Sequence, residues 1–416
     1  MPATRWLERV AVVRPGEGRA LAWSFCYFFC LLAGYYILRP LRDEMGVAGG
    51  VRNLHWLFTA TFVVMLLAVP LLGALVARTP RQRFIPLVYH FFVANLVLFW
   101  VLLALDAGRV QVARVFFVWI SVFSLFAVSV FWSFMADLFT AEQGKRLFAA
   151  IAAGGSAGAL AGPALTVWLV GWLGPVNLLL VAGLLLEVAV FCASRIENLS
   201  GSDSRKVQNS VGGSGLAGFR LLARSPYLTG IGLWVLLLSL AGTFLYFQQA
   251  NLVAAASDDP AVRTRIFASV DLAAGLLTLA VQLVATGRFM RRFGVGAAAA
   301  VLPLVFAAGF LALAAAPGLL LVVAFQALQR TANFAVANPA REVLFTVVGR
   351  EEKYKAKVLI DGVVFRAGDA GSGWLFNALR GAGAELATLA LLAVPVALGW
   401  LALSLALGRA QERRAL

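Results

Sequence analysis

Charge is scarce in this chain. Of 416 residues only 13% are Asp, Glu, Lys or Arg, against 61% hydrophobic, and the mean hydropathy is +0.87. A soluble domain carries roughly a quarter charged residues, so this composition cannot cover an aqueous surface and excludes a soluble globular enzyme. Disorder is excluded by the same numbers, because apolar surface is abundant. Cysteine is nearly missing. Cys26 and Cys30 sit in one apolar run and Cys192 in another, which makes no disulfide framework; all three read as small apolar packing groups. No G-x-x-x-x-G-K-[ST] phosphate loop, nucleophile–base pair or metal-ligand spacing occurs. Neither an enzyme nor a cofactor or metal site is therefore expected, and any transport must run on gradients or exchange. The apolar runs also lack the in/out alternation of a membrane barrel. No signal peptide is expected: the first run follows a basic stretch, has no small-residue cleavage site and is long enough to span.

What the chain does have is long apolar runs. They fall at about 20–38, 54–76, 84–105, 115–136, 148–170, 176–194, 228–247, 266–286, 295–316, 319–338, 358–379 and 386–407. Each is close to the roughly 20 residues that cross a bilayer. The net charge of +15 would suggest nucleic acid on a soluble protein, but its distribution says otherwise. Loop by loop, 25 basic residues fall on one side of the membrane and 8 on the other: Arg39, Arg42, Arg52, Arg109, Arg114, Arg263, Arg265 and Arg380. Arg330 and Arg366 remain inside spans. The positive-inside rule puts both termini in the cytoplasm. The charge is a topology signal, and no nucleic-acid partner is expected.

The spans divide into halves. A Gly/Ser-rich stretch, "RIENLSGSDSRKVQNSVGGSGLAGF" (195–219), separates six from six and reads as a flexible linker. The expected organisation is a cytoplasmic tail at 1–19, a six-helix bundle at 20–195, a linker at 196–225, a second six-helix bundle at 226–408 and a cytoplasmic tail at 409–416. The halves echo each other: Gly73 and "ALVARTPRQRFIP" follow span two, Gly287 and "RFMRRFGVGAAAAVLP" follow span eight. The loops at 141–155 and 350–364 also match loosely. Internal repeats of this kind mark secondary transporters. The basic loop after span two resembles the short loop signature of the major facilitator superfamily, with Ala77 where that signature has Asp. The fold class expected is an all-α polytopic membrane protein of about 12 transmembrane helices, arranged as two pseudo-repeated six-helix bundles, major-facilitator-like.

Polar groups inside spans are costly and therefore informative. In span one, Ser24, Tyr27, Tyr35, Arg39 and Arg42 fall near one helix face. The two arginines read either as interfacial anchors that snorkel to headgroups or as a cationic wall of a central cavity, helped by a break or tilt at Pro40. Span ten carries Gln326, Gln329, Arg330, Asn333 and Asn338 on one stripe, as an interhelical network or as cavity lining. Span seven repeats this more weakly with Thr243, Tyr246 and Gln249. Asp271 and Glu187 stand as lone acids in spans eight and six. Asp361, Arg366 and Asp369 cluster in span eleven, with Arg366–Asp369 either a structural ion pair or part of a gate. Gly154, Gly158 and Gly162 recur every four residues, the spacing that lets two membrane helices approach closely.

Three segments resemble the ATP:ADP antiporter (nucleotide transporter) family of plastids and intracellular bacteria. "YYILRPLRDEMGV" (35–47) is similar to L-R-[DS]-x-K-D through Leu38, Arg39 and Asp43, with Arg42 for Lys. "FWSFMADLFTAEQGKRLFAAIAAGGSAG" (131–158) is similar to the family's F-W-G-F segment through Phe131, Trp132, Phe134, Glu142, Lys145, Arg146 and Phe148. "ANPAREVLFTVVGREEKYKAKVLIDGVVFRAGDAG" (337–371) shares Pro339, Glu342, Lys355, Lys357, Ile360, Asp361, Arg366, Gly368 and Gly371, with Arg341 for Lys. The chain departs at Asp369, where the family has Lys, and at "LYFQQANLV" (245–253), where it often has Glu and Lys; this marks a divergent branch. The resemblance implies exchange of ATP for ADP, or nucleotide import, with charged span residues on the phosphates.

Residues and resemblance together give a substrate-binding set of Arg39, Arg42, Tyr35, Glu142, Lys145, Arg146, Arg330, Asn333, Asn338, Arg341, Lys355 and Arg366. Tyr27, Tyr35 and Tyr246 are candidates to stack a base. Asp43, Asp137, Asp271, Glu342, Asp361 and Asp369 are the acids expected to gate or couple. The expected function is a secondary transporter of a small anionic, nucleotide-like solute. The alternatives are a major-facilitator-type carrier of another solute, proton-coupled through those acids, and a non-transport membrane partner or lipid-moving protein. A monomer in a bacterial inner membrane, multi-pass and in contact with the lipid bilayer, completes the expectation.

Overall fold

The computed structural model describes residues 14, 17–78, 81–200, 222, 224–349, 356–357 and 359–415. Among them there is no strand. The reason is the composition: where water is excluded, every backbone N–H and C=O must be satisfied within the segment, and a helix does that. The helices are α1 (Gly18–Ala48), α2 (Leu54–Arg78), α3 (Arg81–Ala104), α4 (Arg109–Leu138), α5 (Ala141–Ser200), α6 (Pro226–Ala256), α7 (Pro260–Val284), α8 (Thr286–Ala315), α9 (Leu319–Thr331), α10 (Asn338–Leu344), α11 (Phe365–Gly381) and α12 (Leu386–Ala415). Among the described residues ten segments are long and apolar enough to cross a membrane. Large side chains such as Trp172, Leu320 and Leu283 stand 84, 84 and 77% exposed. That surface suits hydrocarbon, and the chain is a multi-pass membrane protein of about twelve helices.

Sequence spans and helices differ in instructive ways. Spans five and six form one 60-residue element, α5, bent at Gly174, whose φ of 73° only glycine adopts without strain. Helix α8 bends likewise at Gly294 (φ 81°), so the basic segment Thr286–Phe293 precedes the apolar part. Span ten is α9, a π-helical turn over Ala332–Ala337, and α10. Span eleven opens with a second π turn, Leu359–Val364, ahead of α11. Of the break or tilt considered at Pro40, the break is not there: α1 runs through it unbroken to Ala48. A proline costs one backbone bond, which membrane helices tolerate because neighbouring groups re-satisfy it.

The chain forms two compact units, residues 1–49, 64–209 and 259–269 in the first and 50–63, 210–258 and 270–416 in the second. In the first, α1 packs most extensively on α5. A Cβ on Gly154, Gly158 or Gly162 would lie 2.5, 2.3 and 2.6 Å from the carbonyl oxygens of Phe25, Phe29 and Ala33, so the glycine ladder does bring two backbones together. The rest of this core mixes aliphatic side chains with aromatic rings, among them Phe28 stacked on Phe131 at 4.1 Å. In the second unit α8 and α12 cross where a Cβ on Gly408 would lie 2.2 Å from the Cα of Gly296. Helix α6 packs on α11 and α12, and Trp234 donates to the Ser404 hydroxyl at 2.9 Å. Ser225 caps α6 by accepting from the Leu228 N–H, with Pro226 at the first helical position.

Because the obstacle at Gly158 is backbone, the neighbour cannot rotate away. Gly158→Leu is expected to destabilise the protein by at least the ~1–3 kcal/mol of ordinary overpacking. Gly183→Ala, which meets nothing within 4 Å, is expected to leave it unchanged. Thermal unfolding in detergent reads both; equal midpoints for the two variants would refute the close approach.

Candidate functional site

The polar residues of the second unit gather into three groups. Arg330, at the end of α9, donates through Nη1 to Asp271 of α7, and both side chains are buried. Asp271 is therefore not a lone acid. Beside Arg330 the stripe continues: Gln329 donates to Gln326 at 2.9 Å, and Asn333 enters the π turn with its Oδ1 unpartnered. The turn closes with the Asn338 N–H on the Asn333 carbonyl. Five residues make about one π turn, so the turn keeps Asn333 and half-buried Asn338 near a common face that a continuous α-helix would separate.

The second group joins α10 to the π turn before α11. Arg341 Nη1 stands 3.1 Å from Asp361 Oδ1, and the Lys357 ammonium donates to both oxygens of Glu342 at 2.7 and 2.6 Å. Two cations and two anions balance. In the third, Asp369 of α11 accepts from the hydroxyls of Ser239 and Thr243 on α6, at 2.7 and 3.1 Å. Arg366, one turn earlier, approaches its other oxygen at 3.4 Å. Nearby in sequence, Gln248 and Gln249 of α6 are buried, and neither oxygen nor nitrogen of the Gln249 amide has a hydrogen-bond partner.

In the first unit, Arg39 lies over the Tyr36 ring and Arg42 over Phe117, at 5.7 and 5.1 Å. Arg42 also grips Asp43 Oδ1 through Nε and Nη2, at 3.0 and 2.7 Å. Two residues on, Glu44 takes a 2.7 Å bond from Arg263 of α7, with both side chains buried. Half-buried Tyr35 packs edge-on against Tyr36. Arg146 binds Glu17 through Nη1 and Nη2, at 3.1 and 2.9 Å, where α1 begins. Glu142 is 67% exposed and pairs with Arg14. Asp137 is exposed in the last turn of α4. The Lys145 side chain and Lys355 lie outside the described residues.

The architecture can now be set beside solved structures. The nucleoside transporter NupG matches with a TM-score of 0.64 at 15% identity, over 96% of this chain and 99% of its own. A POT family transporter in complex with a thioalcohol-conjugated peptide matches at 0.66 and 12%, over 94 and 96%. A bacterial homologue of the human lysosomal transporter Spinster matches at 0.55 and 14%, over 97 and 98%. The fold is major-facilitator-like. No family model and no curated protein sequence matches the chain.

Within this major-facilitator-like fold two sequence readings need correction. Tyr27 is fully buried, donating to Tyr89, which donates on to the Ala127 carbonyl, with its ring against Phe131. Its hydroxyl and ring are committed to the core, so it is no candidate to stack a base. Glu187 is not a lone acid either, since His90 Nε2 stands 3.4 Å away. Reasoning from sequence also missed Glu44–Arg263, Ser239, Gln248 and Glu17. Glu44 lies inside the first quoted motif, but its partner is 219 residues distant, and nothing local signals such a pair.

The Arg146 guanidinium holds the Glu17 carboxyl down to about 2 from 4.5, with the Arg14 N–H and Gln143 helping. A depressed carboxylate contributes stability that is complete above its unfolded value and disappears as pH falls through the folded one. The stability difference between wild type and Glu17→Gln is therefore expected to be constant above about pH 4.5 and to vanish toward pH 2. Thermal unfolding across that range measures it, and a pH-independent difference would rule the linkage out.

Proposed function

We propose that the protein is a secondary transporter of a small anionic, nucleotide-like solute, working by alternating access. The observation that carries this reading is the pair of arginines held by carboxylates in the segment Leu319–Val347, Arg330 within the span by Asp271 and Arg341, toward its cytoplasmic end, by Asp361. A charged side chain at mid-membrane costs about 2.5–3.5 kcal/mol or more, so intramembrane arginines mark a pathway by default. In this reading the carboxylates are resident counter-ions. A solute phosphate takes their place, accepts the guanidinium's charge-assisted hydrogen bonds, and releases the acid to gate or couple.

Arg39, Arg42, Arg366, Lys145, Lys355, Asn333 and Asn338 complete the proposed contacts, and Arg146 and Glu142 act at the cytoplasmic mouth. Unpartnered Asn333 and Gln249 offer uncommitted polar atoms for sugar or base. The nucleotide class rests on the three motif resemblances. Further support comes from the fold, which is shared with proteins described as nucleoside and peptide transporters. We place the two bundles at 20–195 and 226–408, joined by the linker 196–225, with cytoplasmic tails at 1–19 and 409–416, in a bacterial inner membrane, as a monomer.

A second reading is favoured by Asp369, a buried acid cradled by two hydroxyls. That is a suitable proton carrier for a proton-coupled symporter of another solute.

Proteoliposomes separate the two. With labelled ADP outside, uptake is expected only when unlabelled ADP or ATP is trapped inside. Arg42→Ala and Arg341→Ala, each losing charge-assisted bonds, are expected to weaken ADP binding about tenfold or more while the protein remains folded. Uptake of an uncharged solute that follows the pH gradient, with no nucleotide exchange, would overturn the first reading in favour of the second.

A further inference from the structure

The second unit contains a cavity of about 520 Å³ that none of the three matching motif segments lines, although Phe247 and Asn251 of its wall belong to the divergent stretch 245–253. It lies among the 3-10 turn before α2, the far end of α6 and the C-terminal turns of α11. Its volume falls in the range of small-molecule sites. Two guanidiniums line it, Arg52 and Arg380, and no Asp or Glu does. This sets it apart from the arginine groups described above, where carboxylates supply the balance.

Two carboxamides, Asn251 and Asn377, share the wall. Asn251 spends one N–H on the Phe247 carbonyl at 2.7 Å, which fixes its rotamer and leaves its oxygen and second N–H for a ligand. Arg380 spends Nη1 on the Ala384 carbonyl at 3.0 Å, anchoring the fork with four donors still available. The lining also includes Phe247 and Phe376, whose rings pack edge-on at 5.2 Å, and buried His55, held edge-on by Trp374 at 4.5 Å. Trp374 in turn donates to the Thr59 hydroxyl at 3.0 Å. The cationic and amide donors are thus set on a rigid aromatic wall.

We propose that this cavity is a separate binding site for a small organic oxyanion, a phosphate or carboxylate carrying a flat apolar body. Arg52 and Arg380 bind the anion, the two asparagines orient it, and Phe247 and Phe376 cover the apolar part. Both arginines belong to the small basic set that the loop count places away from the cytoplasm, so the site samples the outer solution or the outer leaflet. It stands independently of the transport reading, whose arginines lie elsewhere.

The test is calorimetric titration of ADP into the full-length protein in nanodiscs of neutral phosphatidylcholine, in the Arg341→Ala background. There the proposed transport contacts are weakened, and one equivalent of ADP is expected still to bind. Adding Arg52→Gln is expected to weaken that event about tenfold or more, and adding Arg380→Gln to weaken it similarly. Arg52 is exposed, so its replacement leaves the packing intact even if Arg380→Gln disturbs its turn. Nanodiscs containing phosphatidylglycerol separate the sources. Competition there assigns the site to a lipid headgroup, and its absence assigns it to a free anion; either supports the oxyanion chemistry. Unchanged affinity in both arginine variants, or no binding at millimolar ADP in the Arg341→Ala background, would overturn the site. Failure of nucleotide exchange in proteoliposomes would overturn the transport reading alone.

Discussion

A guanidinium cannot shed its charge, so inside a bilayer it must find an anion. That constraint organises the interior of this protein. Arg330 meets Asp271 within a span, and near the ends of spans Arg341 meets Asp361, Arg263 meets Glu44 and Arg42 meets Asp43. Breaking such a pair from one side typically costs about 3–5 kcal/mol when it is buried, whereas replacing both partners by apolar groups is often neutral. The pairs are therefore poor devices for stability alone. In the transport reading proposed above, their value lies in holding cations ready within a medium that would otherwise expel them.

Placing charges this way requires helices that do not drift, and small residues supply the rigidity. The first unit seats Gly154, Gly158 and Gly162 against the backbone of α1; the second seats Gly296 against Gly408, and Gly368 against Ser239. The last contact has a direct electrostatic consequence. A Cβ on Gly368 would lie 2.8 Å from Ser239 Oγ, the same hydroxyl that donates to Asp369. Packing and the polar cluster are thus one arrangement, and the two π turns, at Asn333 and at Asp361, put their irregular backbone where the polar residues sit.

Much of this architecture was legible in the residues. Apolar runs located the helices because bilayer thickness sets their length, and the four-residue glycine spacing announced a close helix contact without naming α1 as the partner. The Arg366–Asp369 pair was visible because three residues make nearly one turn. Other features were not legible. Asp271 and Arg330 are 59 residues apart, Glu44 and Arg263 are 219 apart, and periodicity names a helix face without naming its neighbour. Tyr27 illustrates the same limit: spacing put it on a helix face, but only the fold shows that Tyr89 and Phe131 occupy its surroundings. Glu142 shares a motif with Arg146, yet one points to solvent and the other to Glu17, because a motif is linear and a site is not.

The central claim is that a carboxylate and the solute anion compete for the same arginine. Asp361→Asn tests it most directly, since Asp361 is part-exposed and its loss leaves Arg341 without its counter-ion. Calorimetric titration with ADP is predicted to show tighter binding than wild type, by about tenfold if one charge-assisted contact is freed. Unchanged or weaker binding in a folded Asp361→Asn protein would contradict the account.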